Sequence, residues 1–221
     1  MHPLLAEIRL VAFDLDGTLV DSVPDLAAAV DAALGDEGQA APGEARVRDW
    51  VGNGSRVLME RALHDALGQP PSAARLESVH AGFLAHYGRA PCERTRLYPG
   101  VRTALDGLRE AGLSLVLVTN KPAAFIAPIL ERFGLATHFA LCLGGDSLPR
   151  RKPDPLPLTH AASRLAVPPR HGLMVGDSRH DIAAGKAAGF RTLAVPYGYN
   201  HGEPVSLSRP DGTVESLAEL V

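Results

Sequence analysis

Five short apolar runs constrain this chain most: Ile8–Phe13, Leu113–Val118, Phe139–Leu143, Gly172–Val175 and Thr192–Val195. All are continuous rather than alternating, and too short for buried helices. That is the pattern of strands covered on both faces, as in a parallel sheet. Between them lie stretches with helical spacing, over Val101–Ala111 (closed by Gly112), Ala123–Phe133, Leu156–Leu165 and Ile182–Ala188. Strands alternating with helices imply a Rossmann-like α/β core, a parallel sheet with helices on both faces.

One stretch breaks the alternation. Between about residues 23 and 95 no strand-like run occurs. Leu26, Ala29, Val30 and Ala33 recur at helical spacing up to a stop at Gly35. Residues 44–52, 55–67 and 72–88 also read as helices, separated by Gly52-Asn53-Gly54 and Gly68-Gln69-Pro70-Pro71. The expected organisation is a core made of 1–22 and 96–221, with an all-helical cap domain, 23–95, inserted after the first strand. Closure of that cap would hinge near Asp21–Val23 and Ala90–Pro99. Residues 196–214, rich in Gly, Pro, Ser and His, read as surface loop, and Glu215–Val221 as one short helix.

Composition excludes several classes. Lys plus Arg number 22 against 25 Asp plus Glu, so no strong positive field marks a nucleic-acid partner. The longest aliphatic runs fall far short of the roughly 20 residues that span a bilayer, so no membrane partner is expected. Met1–Arg9 does not read as a signal peptide. Cys92 and Cys142 lie far apart with no paired spacing, which argues against a disulfide framework or a thiolate metal site; Cys142 is expected in a buried strand. A cytoplasmic setting is the simplest expectation, and monomer and homodimer are both open.

The strand ends carry the chemistry, since ligands of open α/β sheets bind at the carboxyl ends of parallel strands. The first strand ends in Asp14-Leu15-Asp16-Gly17-Thr18, and the second in Thr119-Asn120-Lys121. Lys152-Pro153 follows the third, and the fourth ends in Gly176-Asp177-Ser178 with Asp181 beyond. Asp14 and Asp16 alternate along extended chain and so face one side. Each motif has a plain alternative: Asp-Gly marks turns, hydroxyls and acids cap helices, and most lysines are solvated. Together they place oxygen ligands without histidine or thiolate beside a lysine, a set suited to Mg²⁺ and a phosphate.

In that order the four motifs resemble those of the haloacid-dehalogenase-like superfamily, over nearly the whole chain including the cap. Within it, Phe13–Asp25 and Trp50-Val51-Gly52-Asn53-Gly54-Ser55 resemble the bacterial phosphoglycolate phosphatases. The resemblance implies a Mg²⁺-dependent phosphoric monoester hydrolase acting on a small phosphorylated metabolite, 2-phosphoglycolate. Asp14 would be the nucleophile, phosphorylated in passing, and Asp16 the general acid and base. Asp14, the carbonyl of Asp16, and Asp177 would hold the metal, with Asp181 nearby. Thr119, the amide of Asn120, and Lys152 would hold the phosphoryl oxygens, and Gly52, Asn53, Gly54 and Ser55 would close over the substrate. Arg61 would balance substrate charge or be structural, and His180 would sit at the rim. Asp16 separates a phosphatase from the halide-releasing relatives, because an alkoxide leaving group needs a proton and a halide does not. A sugar phosphate, nucleotide or pyrophosphate substrate, a phosphoryl mutase, or a catalytically silent binding protein are the other readings.

Overall fold

A computed structural model describes all residues, 1–221. In chain order the elements are β1 (Leu10–Phe13), β2 (Val20–Asp21), α1 (Val23–Asp36), α2 (Glu44–Trp50), α3 (Ser55–Leu67), α4 (Ala73–Arg89) and β3 (Arg96–Leu97). There follow α5 (Val101–Glu110), β4 (Ser114–Val118), α6 (Ile126–Arg132), β5 (Leu141–Leu143), α7 (Leu156–Arg164), β6 (Gly172–Gly176), α8 (Arg179–Ala188), β7 (Arg191–Ala194) and β8 (Gly212–Thr213). Six strands form one parallel sheet in the order β5-β4-β1-β6-β7-β8. After β1 the chain builds outward through β4 and β5, then crosses back to β6 on the other side of β1. β1 is therefore the topological switch point, and a crevice opens past its carboxyl end.

Alternation along the strands divides the core between two faces. Val11 and Phe13 of β1, Leu115 and Leu117 of β4, and Val175 of β6 pack under α5 and α6. Leu10, Ala12, Val116, Val118 and Met174 face the other way, against α7 and α8. The helices α1–α4 enclose an apolar cluster of their own, including Val30, Leu34, Met59, Leu63 and Phe83. Both chain crossings into these helices, expected to act as hinges, are zipped together. β2 and β3 pair antiparallel, and the buried Asp25 carboxylate accepts from Arg94 N at 2.9 Å, Thr95 N at 2.7 Å and Thr95 Oγ1 at 2.6 Å.

The structure corrects the sequence reading in particular places. Residues 196–214 are mostly surface loop, as expected, but they also contain β8, and Tyr199, Val205 and Val214 are buried. Cys142 is exposed, because β5 is the sheet's three-residue edge strand and one of its faces is open. The helix expected over Ala123–Phe133 begins as a 3₁₀ turn at Ala123–Phe125, and α8 begins three residues earlier than expected.

Candidate active site

The end of β1 delivers two carboxylates by simple geometry. Asp14 N still bonds to Val175 O of β6 at 3.0 Å, so the strand's direction carries Asp14 into the crevice. Gly17 then turns the chain with φ +89°, where a side chain would be strained, and a Cβ there would lie 2.3 Å from Asp177 Oδ2. Thr18 Oγ1 donates to Asp177 Oδ1 at 2.7 Å. Asp14 Oδ1 accepts from Leu15 N at 2.7 Å and lies 2.9 Å from Lys152 Nζ.

Lys152, with its side chain 1% exposed, also donates to Val118 O and to Asp181 Oδ1, both at 2.6 Å. Asp181 uses its other oxygen to accept from Ser178 N at 3.0 Å and Ser178 Oγ at 2.7 Å, fixing the start of α8. Asp14, Asp177 and Asp181 each bring a carboxylate oxygen within 4.8 Å of the others. One ammonium among three carboxylates leaves negative charge in a dry place. Burial, helped by Asp181 and against the pull of Lys152, pushes Asp14 up to about 7. Burial and the charges of Asp181 and Asp14 likewise hold Asp177 well above the usual carboxylate range. A buried oxygen-only set with excess negative charge fits a hard divalent cation.

Thr119 and Asn120 follow β4 into the same crevice, where both are buried. Thr119 Oγ1 accepts from Lys121 N at 3.2 Å. The Asn120 side chain faces the seam between sheet and helices, donating to Gly52 O and to Lys152 O at 3.0 Å each. That bond fixes the 52–55 turn against the crevice, and Gly52, Gly54 and Ser55 line one cavity with Asp14 and Asp16. Asn53 does not join them. It turns outward, donating to His180 Nε2 at 2.7 Å and accepting from Arg61 at 2.8 Å. His180 is thus a bridge to the cap rather than a free rim residue. Burial lowers it to about 4, which leaves Nε2 free to accept. Arg61 serves structure, its second nitrogen capping Trp50 O at 2.6 Å.

Several residues escape the sequence reading. Lys121, fully buried, pairs with both Asp16 oxygens at 2.9 and 3.1 Å. Its position directly after a strand end is the available signal, outweighed by the usual solvation of lysines. Tyr199 N donates to Asp177 Oδ2 at 2.6 Å, and its hydroxyl donates to Asp21 at 2.5 Å. Gly198 lets that segment close on the site: a Cβ there would lie 2.3 Å from both Asp177 Cβ and Gly17 O. No local pattern in residues 196–200 announces any of this.

The haloacid dehalogenase-like hydrolase family model matches residues 8–189, from the approach to β1 to the end of α8. The chain belongs to the haloacid dehalogenase-like hydrolases. Among relatives of this hydrolase, phosphoglycolate phosphatase 1 of Pseudomonas aeruginosa is 45% identical, covering 96% of this chain and 78% of the relative. Phosphoglycolate phosphatase of Escherichia coli K12 is also 45% identical, over 97% of this chain and 92% of its own. A crystal structure of a predicted phosphoglycolate phosphatase from Haemophilus somnus 129pt superposes with TM-score 0.92 at 38% identity, covering 97% of this chain and 96% of that one. The hydrolase has no helix long and apolar enough to cross a membrane.

Proposed function

We propose that this hydrolase is a magnesium-dependent phosphatase converting 2-phosphoglycolate to glycolate and phosphate, with residues 1–22 and 96–221 as its catalytic core and 23–95 as its cap. The observation that carries the reading is the buried carboxylate group Asp14, Asp177 and Asp181 around Lys152, at the switch point of the sheet. The names of the relatives at about 45% identity support the substrate. So does the cavity beside Asp14 and Asp16, which the 52–55 turn and the cap residues Leu26, Leu58 and Phe83 wall in.

Asp14 attacks phosphorus, forming an O–P bond while the ester P–O bond breaks, and Asp16 gives its proton to the departing alkoxide. Asp16 then takes a proton from water, which attacks the aspartyl phosphate, releasing phosphate and restoring Asp14. The Thr119 hydroxyl, the Asn120 backbone amide and the Lys152 ammonium hold the phosphoryl oxygens, and Asp181 keeps Lys152 aimed. The carboxylates of Asp14 and Asp177 and the carbonyl of Asp16 would hold Mg²⁺, which would neutralise the phosphoryl charge. Gly52, Gly54 and Ser55 close the cavity. The test is phosphate release from 2-phosphoglycolate, sugar phosphates, nucleotides and pyrophosphate with Mg²⁺, with EDTA, and in Asp14→Asn. Preference for 2-phosphoglycolate, lost with EDTA and in the variant, is expected. Preference for another ester refutes the substrate, and activity in Asp14→Asn refutes the chemistry.

A further inference from the structure

The cavity beside Asp14 and Asp16 contains more than a phosphoryl cradle. Its walls include Leu26, Leu58, Phe83 and Phe125, and among its lining residues Lys121 is the one cation. Lys152 does not line this cavity, and its ammonium lies at the phosphoryl end, beside Val118 O, Asp181 and Asp14. Lys121 instead faces the side where the leaving group must lie, since its partner there is the proton donor Asp16. The ammonium sits 4.7 Å from the centre of the Tyr87 ring, a cation–π placement.

Tyr87 supplies the second observation. It is 2% exposed, comes from α4 on the opposite side of the seam, and lines the same cavity. Its ring is fixed by stacking on Phe83 at 5.8 Å and edge-on contact with Phe125 at 4.8 Å. Its hydroxyl has no hydrogen-bond partner. Buried hydroxyls are nearly always paired in native folds, and one left open beside a buried ammonium calls for an anionic acceptor.

We propose that Lys121 and Tyr87 together receive the carboxylate of the substrate, so that the pocket selects short phosphate monoesters carrying an acid group one carbon from the ester oxygen. This rests on the phosphatase reading above and deepens it. Ammonium and phenol reach the carboxylate from the core and the cap respectively, so recognition requires both halves. The 52–55 turn then shapes the pocket, while charge recognition lies with Lys121.

The test compares 2-phosphoglycolate with ethyl phosphate, in which a methyl group replaces the carboxylate, in wild type, Tyr87→Phe and Lys121→Met. Tyr87→Phe removes only an unpartnered oxygen and so leaves folding intact. The ratio of kcat/KM for 2-phosphoglycolate over ethyl phosphate is expected to fall about 10-fold in Tyr87→Phe, mainly through KM, and about 100-fold in Lys121→Met. A merely structural Lys121, holding Asp16, lowers both substrates equally and leaves the ratio as it was. A wild-type preference for 2-phosphoglycolate that survives in both variants overturns the proposal and spares the phosphatase reading. No wild-type preference between the two esters overturns the proposal and the substrate assignment together.

Discussion

Replacing Lys152 by methionine isolates the charge balance of the site. The substitution keeps the aliphatic stem and removes one ammonium whose side chain is 1% exposed. Asp14 at 2.9 Å and Asp181 at 2.6 Å then lose their common counter-ion, and Val118 O loses a donor. Breaking a buried ion pair from one side costs about 3–5 kcal/mol, since the remaining charge stays buried. For a chain of this size each kcal/mol moves Tm by about 2–4 °C, so a loss of about 6–20 °C is expected. The assay is thermal unfolding of metal-free protein, followed by circular dichroism. Adding Asp181→Asn removes one of the stranded carboxylates and is expected to recover part of the loss, a non-additivity that reports the coupling directly. A Lys152→Met protein within about 2 °C of wild type, or a double variant no better than the single, refutes this electrostatic reasoning.

Two further predictions concern the same carboxylates. Gly198→Ala drives a Cβ to 2.3 Å from Asp177 Cβ and from Gly17 O, so Asp177 must shift; kcat for phosphate release should fall about 100-fold with far-ultraviolet dichroism unchanged, and retention of activity within about 3-fold contradicts the close packing. The folded state keeps the Asp14 proton up to about 7 while the unfolded chain releases it near 3.8, so the folded state binds more protons in that window and stability falls as pH rises. Raised Asp177 acts with the same sign. The Tm of metal-free protein should therefore decline from acid to neutral pH, and millimolar Mg²⁺ should flatten the decline; a metal-free Tm that rises over that window contradicts the assignment.

What is legible in the sequence is local. Each strand of β1, β4 and β6 is an apolar run stopped by its own polar residues, so pattern alone puts Asp14, Asp16, Thr119, Asn120, Asp177 and Asp181 at one sheet edge. The cap helices are legible through spacing and glycine stops, and α3 matches its expected bounds. What escapes depends on contacts between segments distant in the chain. Tyr199 meets Asp21 across 178 positions, and Lys121 meets Asp16 across 105, so no periodicity within either segment betrays burial. Asn53 departs from its expected place for a related reason: a turn of small residues does not reveal which side chains face the crevice, and this one faces His180. β8, two residues long, carries too little pattern to be read.

The central claim, phosphoryl transfer through Asp14, is tested most directly by rapid acid quench of the Mg²⁺-loaded enzyme turning over 2-phosphoglycolate labelled in its phosphoryl group, followed by peptide mapping. The account predicts hydroxylamine-labile label on the peptide containing Asp14, absent in Asp14→Asn. Turnover with no protein-bound label at any quench time, or label on another residue, would contradict it.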